Sequence, residues 1–169
     1  MSTTQKLILL VDDSINDQTL TLLALGKDDL QLHVVVANDG AEALDFLYRR
    51  GVFQARESGR PVLVLLDLKM PKVDGVEVLR QLKADPQLKC IPVVMLTSSG
   101  ELPDVQRCYE LGANAYVVKP VDFPALKARV MELKRFWTVA NVPPPAPALL
   151  TYPAAATPPG PVPTPAVAA

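Results

Sequence analysis

Short, wholly apolar runs alternate along this chain with longer stretches whose apolar residues recur every three or four positions. The short runs are Leu7 to Val11, Leu32 to Val36, Val62 to Leu66, Pro92 to Leu96 and Ala115 to Val118. Each has strand length and lacks the in-out alternation of a half-buried strand. Helical periodicity fills the gaps. It predicts helices from Asn16 to Lys27 and from Gly40 to Arg50, the second turning Ala41, Leu44, Leu47 and Tyr48 to one side. Asp74 is the expected N-cap for a helix that buries Val76, Leu79 and Leu82 and ends before Asp85-Pro86. Leu102, Val105, Tyr109 and Leu111 line the next, closed by Gly112, and Leu126, Val130, Leu133 and Trp137 line the last. Strands that are apolar throughout belong in a parallel sheet covered on both faces. Five such units with right-handed crossovers make one doubly wound α/β sheet of five strands and five helices.

Composition then sets the limits. The last charged residue is Arg135, and 10 of the 27 residues from Pro143 onward are proline. Such a segment can build neither helix nor ladder, so the folded domain is expected over 4–141, with an uncharged Pro/Ala-rich tail over 142–169. The connection from Arg49 to Pro61 is longer than the alternation needs and reads as a solvated surface loop. With 49% hydrophobic and 21% charged residues and a net charge of -1, the 169-residue chain has no polybasic field for nucleic acid or an anionic membrane. No apolar run approaches the ~20 residues of a membrane span. Cys90 and Cys108 have no metal-ligand spacing and read as two reduced thiols in a cytoplasmic protein.

The chemistry is concentrated where the strands end. Ligands of open parallel sheets bind beyond the carboxyl ends of the strands, and the residues there are Asp12-Asp13, Asp67, Thr97 and Lys119. One acid after a strand is an ordinary turn residue; agreement at four strand ends is a constellation. Carboxylates crowded together repel unless a cation neutralises them. Oxygen-only donors suit Mg²⁺, and the lack of His or Cys argues against zinc. A carboxylate can itself be the nucleophile of phosphoryl transfer, with a metal, an ammonium and a hydroxyl stabilising the phosphoryl oxygens.

These residues, in the order Val11-Asp12-Asp13, Asp67-Leu68-Lys69-Met70-Pro71, Asp74-Gly75, Leu96-Thr97-Ser98, Gly112-Ala113 and Tyr116-Val117-Val118-Lys119-Pro120, resemble the receiver domains of two-component response regulators over about residues 6–137. The resemblance implies a flavodoxin-like strand order 2-1-3-4-5 and Asp67 as phosphoacceptor. It also implies Mg²⁺ held by Asp12, Asp13, Asp67 and the backbone carbonyl of Lys69. Thr97 and Lys119 would bind the phosphoryl oxygens, Tyr116 would turn inward as Thr97 moves, and Lys119-Pro120 would be a cis peptide. Ser98 departs from the alanine many receivers carry, making the pocket mouth bulkier and more polar. The long loop before strand three, Thr97-Ser98-Ser99, Lys119-Pro120-Val121-Asp122 and Phe136-Trp137 resemble more closely the single-domain regulators that partner bacterial and cyanobacterial phytochromes. The partner implied is a sensor histidine kinase, with a phytochrome kinase as the specific case.

Plainer roles compete for several residues. His33 stands alone at the start of a strand and reads as a surface residue. Phe136 and Trp137 together are the candidate contact surface, for which a homodimer through the fourth and fifth helices and fifth strand is expected. The plainer reading of Trp137, which continues the inward face of the last helix, is that it closes the core, whereas Phe136 points elsewhere. No DNA-reading segment follows the domain, so the expected output is a protein contact or phosphoryl relay from a stand-alone regulator. An aspartate-nucleophile phosphohydrolase usually carries a second acid two residues after the nucleophile; here that position is Lys69, which argues against turnover as the main job. A constitutive binding module would be expected to have lost an acid or Lys119, and neither is missing.

Overall fold

The computed structural model describes residues 5–26, 31–56 and 59–145. Most of the tail, from residue 146 on, and residues 1–4, 27–30 and 57–58 lie outside them. Five strands, β1 (Lys6–Val11), β2 (Leu32–Ala37), β3 (Leu63–Leu66), β4 (Val93–Thr97) and β5 (Ala115–Val118), form one sheet. Their order is β2-β1-β3-β4-β5 and every pairing is parallel. The helices are α1 (Ile15–Leu25), α2 (Gly40–Tyr48), α3 (Gly75–Ala84), α4 (Leu102–Glu110) and α5 (Phe123–Arg135). A 3₁₀ turn covers Gly51–Phe53, and a π-helical turn over Phe136–Ala140 extends α5.

The apolar strands are explained by two cores, one on each face of the sheet. Leu9, Val11, Val64 and Leu66 point to one side and pack with Phe46, Leu47, Leu79 and Leu82 beneath α2, α3 and α4. Their neighbours Ile8, Leu10, Leu63 and Leu65 point to the other and meet Leu25, Leu126 and Val130 of α1 and α5. Successive strand residues face opposite sides, so a central strand covered on both sides has no polar position to spare. Side-chain oxygens of Ser14, Asp39, Asp74 and Asp122 accept backbone N–H bonds and start α1, α2, α3 and α5.

Two expectations are corrected and a third is refined. In α4 the buried residue is Cys108, with Val105 and Leu111 on its side, while Leu102 and Tyr109 are 80% and 51% exposed. A nine-residue helix has room for only one inward row, and Leu102 and Tyr109, seven apart, form a different one. The segment after α2 is a surface loop as expected, with Gly51, Val52, Gln54 and Ala55 exposed, and it is also pinned at Arg56. The Arg56 guanidinium lies 4.2 Å over the Phe46 ring and its Nε donates to the Phe46 carbonyl, while Phe53 meets Phe46 edge-on at 5.2 Å. Burial, together with nearby Arg49, lowers the Arg56 pKa to about 10. Finally, Lys119-Pro120 is trans, since no cis peptide occurs among the described residues. Trans is the form an X–Pro bond favours by ~0.5–1 kcal/mol. In that form Lys119 N still reaches the Thr97 carbonyl at 2.7 Å.

Candidate functional site

The carboxyl ends of β1, β3, β4 and β5 carry Asp12, Asp67, Thr97 and Lys119 to one place. Strand register does this: Val11 is level with Leu66, Leu66 with Met95 and Thr97 with Val118, so Asp12 and Asp67 stand side by side, with Thr97 one residue and Lys119 two residues farther out along their strands. Asp12, Asp67 and Thr97 are buried and Asp13 is exposed. The Lys119 side chain is only 7% exposed and its Nζ reaches Asp12 Oδ2 at 2.7 Å.

Gly75 explains how closely the rest of the fold approaches Asp67. Its N–H donates to the Leu68 carbonyl at 2.8 Å, and a Cβ there would stand 2.1 Å from the Asp67 carbonyl oxygen. Only glycine lets the start of α3 pack against the peptide that carries Asp67. Asp67 Oδ1 accepts from Leu68 N at 2.9 Å and lies 3.9 Å from Lys119 Nζ. Above it opens a cavity of about 390 Å³, lined by Asp13, Asp17, Asp67, Lys69, Thr97 and Ser98, among others.

The electrostatics of the pocket are unbalanced. Carboxylate oxygens of Asp12, Asp13 and Asp67 can all lie within 4.8 Å of one another. Lys119 Nζ hydrogen-bonds Asp12 Oδ2 at 2.7 Å and Asp17 Oδ2 at 2.8 Å. Burial pushes the Asp67 carboxyl above its ordinary range, and Asp12 adds to this against the pull of Lys119. Burial also raises Asp12, despite its hydrogen bond from Lys119. Burial works against the Lys119 ammonium too, but its bonds to Asp12 and Asp17 and the nearby Asp67 turn the net shift upward. One ammonium among four acids leaves an excess of negative charge. The donor set is all oxygen, which fits a hard divalent cation.

Thr97 and Tyr116 are linked through Ser99. Thr97 Oγ1 accepts from Ser99 N at 3.3 Å, and Tyr116 donates its hydroxyl to the Ser99 carbonyl at 2.9 Å. Ser99 Oγ donates to Asp104 Oδ2 in the first turn of α4 at 2.6 Å. One loop residue therefore touches the pocket hydroxyl, the β5 aromatic and α4. Lys69 is exposed at the pocket edge. Phe136 and Trp137 lie elsewhere, at the end of α5: Trp137 packs against the second core, and Phe136, 52% exposed, meets it edge-on at 5.0 Å. His33 is exposed on β2. Sequence reasoning missed Asp17, although its place one turn into a helix that starts beside Asp12 was available as a signal.

A family model described as the response regulator receiver domain matches residues 8–131. The chain belongs to the response regulator receiver family. Response regulator Rcp1 of Synechocystis is 41% identical to this receiver over 132 residues, covering 78% of this chain and 88% of that protein. A structure of Rcp1 in its Mn(2+)-bound form, 39% identical, has a TM-score of 0.76 and covers 83% of this chain and 99% of that one. The phosphorylated cyanobacterial phytochrome response regulator RcpA is 37% identical, with a TM-score of 0.79 and coverage of 84% and 100%. The bacteriophytochrome response regulator RtBRR is 56% identical, with a TM-score of 0.68 and coverage of 84% and 86%. The receiver is thus a two-component signalling protein related to phytochrome-partnered regulators, and no helix among the described residues is long and apolar enough to cross a membrane.

Proposed function

We propose that this receiver takes a phosphoryl group on Asp67 from the phosphohistidine of a sensor histidine kinase. The observation that carries the reading is the convergence of Asp12, Asp13, Asp67, Thr97 and Lys119 at one end of the sheet. An Asp67 carboxylate oxygen attacks phosphorus, the P–N bond to the donor imidazole breaks, and that nitrogen keeps the bonding electrons and takes up a proton. Thr97 and Lys119 stand where the transferred oxygens need a hydroxyl and a cation. Mg²⁺ is the proposed metal, held by Asp12, Asp13, Asp67 and the Lys69 carbonyl. When bound, it neutralises carboxylate and phosphoryl charge. The residue two positions past Asp67 is Lys69, not an acid, which supports a switch rather than a turnover enzyme.

The relatedness to RcpA and RtBRR supports a phytochrome-class kinase as the donor. Exposed apolar residues on the α4–β5–α5 side, Leu102, Tyr109, Val118, Val121 and Phe136, support a protein-contact surface there, which we assign to a homodimer. A monomeric mass in solution at micromolar concentration, with and without phosphorylation, would exclude the dimer. The domain is proposed to span 4–141 with 142–169 as an appendage.

The deciding experiment is intact-protein mass after incubation with acetyl phosphate and Mg²⁺, for wild type and Asp67→Asn. A gain of about 80 Da, one phosphoryl group, that needs Mg²⁺ and is lost in Asp67→Asn is expected. A gain that persists in the variant would mean that another residue is the acceptor.

A further inference from the structure

Lys119 is shared among more anions than phosphoryl chemistry requires. An ammonium has three donors. Two are spent on Asp12 Oδ2 and Asp17 Oδ2, at 2.7 and 2.8 Å, while Asp67 Oδ1 is at 3.9 Å, too far for a hydrogen bond. Asp17 stands outside the three-carboxylate cluster of Asp12, Asp13 and Asp67. Its backbone is fixed in the first turn of α1, where its N–H donates to Ser14 Oγ at 3.3 Å. Its side chain is 37% exposed against 7% for Lys119, and it lines the cavity over Asp67. It is therefore a half-solvated anion that holds a buried cation from the cavity side.

We propose that Asp17 is a positioning residue that holds Lys119 and competes with a phosphoryl group on Asp67 for its ammonium. In doing so it sets how readily Asp67 is loaded and how long the phosphoryl group stays. The role rests on Asp67 being the phosphoacceptor. A phosphoryl group brings close to two negative charges at neutral pH. Asp17 opposes that charge in two ways: it occupies a donor of Lys119, and it places a like charge on the same cavity wall. Replacing it with asparagine keeps the size and an acceptor oxygen but removes both effects. Glu101 offers a control, because it lines the same cavity, is exposed, and forms no ion pair among the described residues.

The test is the rate of mass gain with acetyl phosphate and Mg²⁺, and the rate of its decay after donor removal, in wild type, Asp17→Asn, Asp17→Glu and Glu101→Gln. Melting temperature is measured alongside. Asp17→Asn should load faster and lose the group more slowly, each by roughly three- to tenfold, the scale of one unit charge a few ångströms away in a partly solvated pocket. Asp17→Glu should restore rates close to wild type, and Glu101→Gln should change them by less than about twofold, as expected of a screened surface charge. Equal or slower loading in Asp17→Asn, or an equal effect in Glu101→Gln, would overturn the role. So would a lower melting temperature with unchanged rates, which would make Asp17 only a helix-terminus residue. No mass gain in the wild type would instead remove the phosphoacceptor assignment, and this role with it.

Discussion

The contact between Gly75 and Asp67 sets a measurable cost on adding one methyl group. An alanine Cβ at position 75 would lie 2.1 Å from the Asp67 carbonyl oxygen, 2.9 Å from Leu68 Cα and 3.0 Å from the Asp67 carbonyl carbon. All three are backbone atoms at the end of a central strand, so none can rotate away. Restoring an ordinary contact takes a shift of about 1 Å between α3 and β3 in a close-packed interior. That shift stretches the 2.8 Å bond from Gly75 N to the Leu68 carbonyl, worth about 1 kcal/mol. It also incurs overpacking strain of about 1–3 kcal/mol, which the better helix propensity of alanine offsets by less than ~1 kcal/mol. Gly75→Ala should therefore destabilise by about 2–3 kcal/mol and lower the melting temperature by about 8–12 °C for a domain of this size. Because the displaced peptide carries Asp67, loading from acetyl phosphate should fall as well. Gly59→Ala is the control, since a Cβ there meets nothing within 4 Å. Thermal melts and intact mass on the three proteins decide the matter. A Gly75→Ala protein that melts within about 2 °C of wild type would refute the claimed close approach.

Burial holds the Cys108 thiol up at about 11, whereas Cys90 is exposed. Iodoacetamide at pH 8 should label one thiol in the native protein and two in urea; rapid double labelling of the native protein would contradict the packing of α4. Raised carboxyls at Asp12 and Asp67 mean that the native state takes up protons at higher pH than the unfolded chain, so their contribution to stability falls as pH rises through that raised range. Without divalent cations, Asp67→Asn should then be more stable than wild type to urea at pH 7, with the gap closing on acidification below the raised range. A less stable variant at pH 7 would reverse the sign. Asp122→Ala removes the acceptor for Ala125 N at 2.9 Å and should cost about 1 kcal/mol, read as a fall of about 3–5 °C in melting temperature. Tyr116→Phe deletes the hydroxyl bonded to the Ser99 carbonyl and should leave phosphoryl loading intact while weakening the dimer proposed for the α4–β5–α5 side. Unchanged affinity of that proposed dimer, measured by sedimentation of both proteins in the loaded state, would separate Tyr116 from that surface.

What could be read from the sequence divides along a physical line. Central strands are legible because a parallel sheet with two covered faces leaves them no polar position, so Leu63 to Leu66 and Val93 to Leu96 announce themselves. The pocket is legible because it lies at strand ends, where polarity switches on abruptly at Asp12, Asp67 and Lys119. Helix starts at Asp74 and Asp122 are local, three-residue bonds and follow the same logic. Interactions that join distant segments leave no such mark. Nothing local says that Arg56 lies over Phe46, ten residues earlier, or that Asp17 meets a lysine 102 residues away. The outward rows of α4 mislead for a related reason: periodicity finds an apolar row, but only the tertiary fold decides which row faces in. The two kinds of feature meet at Lys119. Its place after β5 is fixed by strand pattern, whereas the division of its ammonium among Asp12, Asp17 and Asp67 depends on how α1 packs beside the sheet. Receivers with the same strand-end residues can therefore differ in how tightly that lysine is held, and residues of α1 outside the shared motif are where such a difference would be written.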